Sequence, residues 1–214
     1  MTPAQQSAKA AEICRLAPVV PVLVIDDLAH AAPLAKALVA GGLPALEVTL
    51  RTPCALDAIR AMSDVEGGVV GAGTLLTPAD VKAAKAAGAT FGVSPGATDR
   101  LIAACEDEGL PLLPGAVTAS EIMALLERGY TVQKFFPAEA AGGVDMLRAL
   151  AAPLSHIRFC PTGGLTPENA GSYLSLPNVV CIGGSWMVSK KLVDGRQWEE
   201  IERLSRLAAA LKNG

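Results

Sequence analysis

The sequence is poor in the residues that hold metals, grip nucleic acids or cross membranes. Its only histidines, His30 and His156, lie far apart and outside any metal-ligand spacing. A His-rich metal site is therefore not expected, although carboxylate-bound Mg²⁺ stays open. Net charge is only −3 and no Lys/Arg run stands out, which argues against a nucleic-acid or anionic-membrane surface. An anionic ligand would need a local site, not a global field. The strongest apolar run near the N-terminus, Val19 to Ile25, is broken by Pro21 and far short of the ~20 residues that span a bilayer. The opening MTPAQQSAKAAEICRLA lacks a basic start followed by an apolar segment, so no secretory signal is expected. Cys14, Cys54, Cys105, Cys160 and Cys181 are odd in number, widely spaced and without a C-x-x-C, the pattern of free thiols in a reducing cytosol.

What is present is apolar and alternating. Apolar residues make up 51% of the 214 and charged residues 18%, which excludes a disordered chain. Short β-rich runs recur, each followed by an Ala/Leu-rich stretch with helical spacing. The strand candidates are Val19 to Ile25, Ala45 to Leu50, Gly68 to Gly73, Thr90 to Ser94, Leu110 to Gly115, Thr131 to Phe136, Ile157 to Thr162 and Val179 to Gly184. Their near-continuous apolar character marks strands covered on both faces, as in parallel sheets. Between them, a helix from Leu28 ends at Gly41-Gly42, a C-cap signal. Thr77-Pro78 and Thr166-Pro167-Glu168 open two more with proline in the first turn, and Thr118 with Glu121 forms a capping-box pattern. Eight strands repeating about every 22 residues predict a (β/α)8 TIM barrel in one domain, 1–214. The first eighteen residues form an extra N-terminal helix capping the barrel floor. An open doubly wound sheet is the rival, but even spacing without a long crossover favours closure. No linker or second-domain boundary is visible.

Functional residues of such barrels gather at the C-terminal ends of the strands. There, Lys134 interrupts the apolar, aromatic strand TVQKFF. Alone, a strand lysine reads as an ordinary solvated or salt-bridged residue. Pointed into the barrel, it would be desolvated toward a neutral amine able to attack a ketone. Glu47 in ALEVTL is equally costly to bury unless paired or functional. It reads either as an ion pair with Arg51 or as a general acid/base beside the amine. Arg51 offers a planar fork for a carboxylate. Thr162-Gly163-Gly164 and Gly183-Gly184-Ser185 follow strands seven and eight, the recurrent phosphate position of this fold, where glycines let backbone N–H groups approach an anion. Asp26-Asp27 are read as helix caps, His30 as a helix-surface residue, and Trp186 and Trp198 as packing or interface residues. Cys160 is read as a buried inert thiol.

The segments LEVTLRT, VGAGT, SPG, LPG, QKFFPAE, RFCPTGG and CIGGSW together resemble the 2-keto-3-deoxy-6-phosphogluconate (KDPG) and 4-hydroxy-2-oxoglutarate (KHG) aldolase family, in order and over about Val20 to Trp186. The resemblance implies a class I aldolase, cutting the phosphorylated 2-keto acid to pyruvate and glyceraldehyde 3-phosphate in the Entner–Doudoroff pathway. Lys134 would be the Schiff-base lysine, Glu47 the general acid/base and Arg51 the carboxylate clamp. Thr74 and Thr162 would bind the pyruvyl portion and Pro95 would line its methyl side. Gly163, Gly164, Gly184 and Ser185 would bind phosphate, with Gly183 supporting the turn. A homotrimer is also implied. With an imine as electron sink no metal or organic cofactor is expected, and the free thiols already point to a cytoplasmic location. The rivals are other 2-keto acid chemistry, namely KHG, the galactonate epimer or oxaloacetate decarboxylation, and a non-catalytic phosphosugar-binding barrel. The last would have no use for an embedded Glu47/Lys134 pair.

Overall fold

A computed structural model describes residues 1–211 of the chain. It is an α/β fold of strands that pair only in parallel. After helix α1 (Pro3–Cys14) come β1 (Val19–Leu23), α2 (Ala31–Ala40), β2 (Ala45–Thr49), α3 (Ala55–Ser63), β3 (Val69–Gly73), α4 (Pro78–Ala86), β4 (Phe91–Val93) and α5 (Asp99–Glu108). The second half runs β5 (Leu112–Leu113), β6 (Gly115–Ala116), α6 (Ala119–Arg128), β7 (Val132–Phe135), α7 (Gly143–Ala151), β8 (Arg158–Pro161), α8 (Pro167–Leu174), β9 (Ile182–Gly184), α9 (Lys190–Asp194) and α10 (Trp198–Ala209).

Six strands form a sheet in the order β5-β4-β3-β2-β1-β9, and three form a second, β6-β7-β8. The expected strand Leu110 to Gly115 is divided at Pro114. Proline has no N–H to donate to a ladder, so pairing stops there. Its carbonyl still accepts from Lys134 N–H at 2.8 Å, and the chain passes from one sheet to the other. At the opposite edge, the expected strand Val179 to Gly184 is regular only from Ile182. Isolated bridges, Phe159 with Val179 and Thr162 with Gly183, join β8 to it.

Helix starts follow the threonine signals. Thr77 with Asp80, Thr118 with Glu121 and Thr166 with Asn169 each form a capping box, as does Thr2 with Gln5 ahead of α1. The backbone N–H groups of Thr118 and Val117 hold the Glu121 carboxyl below its usual range. The left-handed residue after α2 is Gly42, φ +87°. Gly41 is glycine for a different reason, since a Cβ there would come within 2.8 Å of Glu202 O on α10.

The core has two parts. An outer layer packs strand residues such as Leu46, Val48 and Phe135 against the helices. An inner cluster joins Ala10, Ala11 and Cys14 of α1 to Val20, Ala45, Phe91, Val132, Cys160 and Cys181. Two polar residues tie α1 in place. Gln6 Oε1 accepts from Leu112 N–H at 3.1 Å, and Ser7 Oγ accepts from Thr131 N–H at 2.9 Å. All five cysteines are free thiols, as expected. Cys14, Cys160 and Cys181 nonetheless meet, and their mutual hydrogen bonds with burial hold the Cys181 thiol well above its ordinary value.

His30 is a correction. Expected on a helix surface, it is only 8% exposed and meets Trp198 edge-on at 5.7 Å. Helix α10, more than a hundred residues away in sequence, returns to cover it. Asp27 does cap the 3-10 turn at Leu28–His30 by accepting from Ala29 N–H, whereas Asp26 pairs with Lys190 at 2.8 Å.

Candidate active site

Strand alternation aims the two central side chains. On β2, Leu46 and Val48 face the helices while Ala45 belongs to the inner cluster. Glu47, two residues on, shares the inner face with Ala45. On β7, Gln133 reaches outward, donating to Ile122 O and Tyr130 O, while Val132 is in the inner cluster. Lys134 therefore points inward as well. The two meet across the interior, with Lys134 Nζ donating to Glu47 Oε1 at 3.1 Å and their side chains 6% and 4% exposed. The Phe136 ring lies 5.5 Å from the same nitrogen.

A buried ion pair is weak evidence for stability, because desolvation offsets most of the Coulomb gain. Its presence at the centre of an apolar interior points to chemistry. Room for it is made by Gly73, where any Cβ would overlap the Glu47 carboxylate. This dependence lay unread in the VGAGT segment.

The other candidate residues fall into three groups at the C-terminal ends of the strands. Arg51 is exposed and its Nε donates to Thr74 Oγ1 at 3.2 Å. Of the two partners considered for Glu47, the structure thus supplies Lys134 and not Arg51. Thr74 sits at φ +62°, a left-handed conformation costly for a β-branched residue and a form of strain that gathers at functional sites. Pro95 lies beside the lysine strand, because Gly115, the register partner of Lys134, lets the Pro95 backbone press against it.

The glycine turns form the third group, and their glycines have separate causes. Gly163 and Gly164 have φ of +103° and +80°, which L side chains rarely adopt. Gly183 and Gly184 are required by close approach. A Cβ on Gly183 would overlap Thr162 Oγ1, and one on Gly184 would overlap the Trp186 ring. Ser185 opens onto a cavity of about 240 Å³ shared with Val22, Asp26, His30 and Lys190. Among the described residues, no group of three or more His, Cys, Asp or Glu is arranged to hold a metal ion.

Fold and site together define an α/β protein that holds an amine and a carboxylate in contact inside an apolar interior. The family model described as KDPG and KHG aldolase matches residues 10–204. The KHG/KDPG aldolase of Escherichia coli K12 is 50% identical over 200 residues, covering 93% of this chain and 94% of that protein. The 2-keto-3-deoxy-6-phosphogluconate aldolase of Zymomonas mobilis ZM4, solved with 3-phosphoglycerate, superposes with a TM-score of 0.91 at 48% identity, covering 95% and 96% of the two chains. The KDPG aldolase of Legionella pneumophila, solved with pyruvate captured as a covalent carbinolamine intermediate, gives 0.91 at 43% identity over 94% and 98%. The chain belongs to the KDPG and KHG aldolase family.

Proposed function

We propose that this protein is a class I aldolase cleaving 2-dehydro-3-deoxy-6-phosphogluconate to pyruvate and glyceraldehyde 3-phosphate, with a side activity on 4-hydroxy-2-oxoglutarate. One observation carries the reading, the 3.1 Å contact of buried Lys134 Nζ with Glu47 Oε1. The relatives' names support the substrates, and the pyruvate carbinolamine of the Legionella protein is the adduct such an amine forms.

Passing one proton along the Lys134–Glu47 hydrogen bond gives a neutral amine beside a carboxylic acid. The amine attacks the C2 ketone, and Glu47 returns its proton as the carbinolamine loses water to an imine. The protonated imine is the electron sink. Glu47 then takes the C4 hydroxyl proton, directly or through a water, the C3–C4 bond breaks, and glyceraldehyde 3-phosphate departs. Protonation of the enamine at C3 and hydrolysis of the imine release pyruvate and restore Lys134. The imine does the work of an electron sink, so the chemistry calls for no metal or organic cofactor.

Arg51 holds the substrate carboxylate, a role its exposed fork suits. Thr74 and Thr162 bind the pyruvyl portion and Pro95 lines its methyl side. Gly163, Gly164, Gly184 and Ser185 take the phosphate on backbone N–H groups and a hydroxyl, and Gly183 supports the turn. The scaffold we propose is a single closed (β/α)8 barrel with α1 capping its floor. The chain's passage from β5 to β6 at Pro114, the bridges from β8 to β9 and the α1 residues of the inner cluster support it. A cytoplasmic homotrimer without nucleic-acid or membrane partners completes the proposal. No helix among the described residues is long and apolar enough to cross a membrane.

The test is borohydride reduction in the presence of pyruvate, followed by peptide mass mapping. The expected result is a pyruvyl adduct on Lys134. Absence of an adduct on any lysine of the folded protein, with pyruvate in excess, would remove the class I assignment and favour a non-catalytic binding barrel.

A further inference from the structure

The turn after the lysine strand is fastened to the glycine turn after β8 by residues that the mechanism leaves unused. Ala138 N–H donates to Thr162 O at 2.8 Å, and Glu139 N–H donates to Gly163 O at 3.1 Å. The Glu139 side chain lies across Gly164, where an added Cβ would come within 2.7 Å of Glu139 Cβ and Cγ. Its carboxylate Oε1 accepts a hydrogen bond from the Tyr173 hydroxyl. Tyr173 is fully buried in α8, the helix that the glycine turn leads into. Burial, then the bond to Glu139, raise the phenol above its ordinary range, so the hydroxyl keeps its proton and remains the donor. Gly143, φ +56°, leaves the space, since a Cβ there would lie 3.1 Å from the Tyr173 hydroxyl and 3.4 Å from Glu139 Oε1.

Glu139 thus joins three segments, the turn that follows Lys134, the Gly163–Gly164 turn and α8. Two glycines with left-handed φ lose much conformational freedom when they are ordered. A turn built from them holds its N–H groups in one place only if neighbouring groups fix it. A hydrogen bond from a buried, rigid phenol to a side chain lying across the turn is such a restraint.

We infer that Glu139 and Tyr173 are positioning residues that set the Gly163–Gly164 turn relative to Lys134 and so favour phosphorylated over unphosphorylated substrates. The inference deepens the proposed function and rests on its placement of the phosphate. Neither residue acts on the bond that breaks. Their effect passes through the turn.

Three variants test it. Tyr173→Phe removes one oxygen and keeps the buried ring, Glu139→Ala removes the acceptor, and Glu139→Gln retains an acceptor oxygen. Each is measured for kcat and KM on the phosphorylated substrate and on 4-hydroxy-2-oxoglutarate, for calorimetric affinity toward 3-phosphoglycerate, and for borohydride trapping of pyruvate. Tyr173→Phe and Glu139→Ala are expected to raise KM for the phosphorylated substrate, and weaken 3-phosphoglycerate binding, about tenfold. Activity on 4-hydroxy-2-oxoglutarate and pyruvate trapping stay near wild type, and Glu139→Gln restores most of the loss. Equal losses on both substrates would reduce the pair to a structural contact and overturn the inference, as would an unchanged KM. Failure of the wild type to trap pyruvate, with Tyr173→Phe still weakening 3-phosphoglycerate binding, would sink the Schiff-base reading and leave the positioning role standing.

Discussion

Near the N-terminal ends of the strands, Val20, Ala45, Phe91 and Val132 close against Ala10, Ala11 and Cys14 of α1 in a buried apolar cluster. At the C-terminal ends the inventory reverses. Arg51, Gly164 and Ser185 are exposed there, Thr74 is in a left-handed conformation, and Gly163 and Gly164 need positive φ. One end removes apolar surface from water and gains stability from it. The other end accepts backbone strain and leaves polar groups open to solvent, and mid-strand between the two ends lies the buried Lys134–Glu47 pair; the strain and the buried pair cost stability. Residues that violate the packing rules collect from mid-strand Lys134 and Glu47 to the C-terminal ends above them, and that is where the chemistry is proposed.

The comparison is broken most directly at the ion pair. Lys134→Ala should cut kcat/KM by at least about 10³-fold, or ~4 kcal/mol, because the covalent route is lost. Glu47→Gln should cost roughly 10²- to 10⁴-fold through lost proton transfer. Steady-state cleavage assays beside circular dichroism would read both, and near-full activity in the lysine variant ends the mechanism. Lys134→Ala also leaves Glu47 buried without its partner, so its stability is expected to fall as well.

A change at the floor should do the opposite. Phe91 is 4% exposed, and Phe91→Ala should lower unfolding free energy by about 3–5 kcal/mol in a urea titration. Activity per folded molecule should fall far less than in Lys134→Ala, because Phe91 carries no reacting group, although its ring lies over Gly71, the register partner of Glu47. If activity instead collapses at temperatures where the variant is folded, the two ends are not energetically separate.

The smallest effect belongs to the outer layer. Burial, and secondarily the Glu106 charge, push the Cys105 thiol up to about 12 from 9.0. A pKa raised on folding means that the stability is fully present below the unfolded value. It is lost progressively as pH rises from 9.0 toward about 12, where the folded thiol ionises. Wild type should therefore lose thermal stability over that window more steeply than Cys105→Ala. Parallel slopes would show that Cys105 contributes nothing to alkaline sensitivity.

Much of the site was legible because its residues break a local pattern. A lysine in TVQKFF and a glutamate in ALEVTL stand out against strand periodicity, and paired glycines after two late strands stand out by position. Threonine capping signals located helix starts for the same reason, since a cap is satisfied within three or four residues. Less legible was anything carried by a partner distant in the chain. Glu47 offered Arg51 as a local partner, yet its contact is 87 positions away. His30 looked exposed because Trp198, which covers it, comes from the last helix.

By itself the sequence determined the alternation of strand and helix, the threonine-capped helix starts and the identities of the odd polar residues in the strands. All of these follow from periodicity and backbone chemistry over a few residues. Only the tertiary structure decided that Lys134 meets Glu47, that Pro114 hands the chain from one sheet to the other, and that Tyr173 reaches Glu139 beneath the glycine turn. Those outcomes depend on how parallel strands curl and bring remote segments together, and a local pattern of side chains carries no record of which distant segment will arrive.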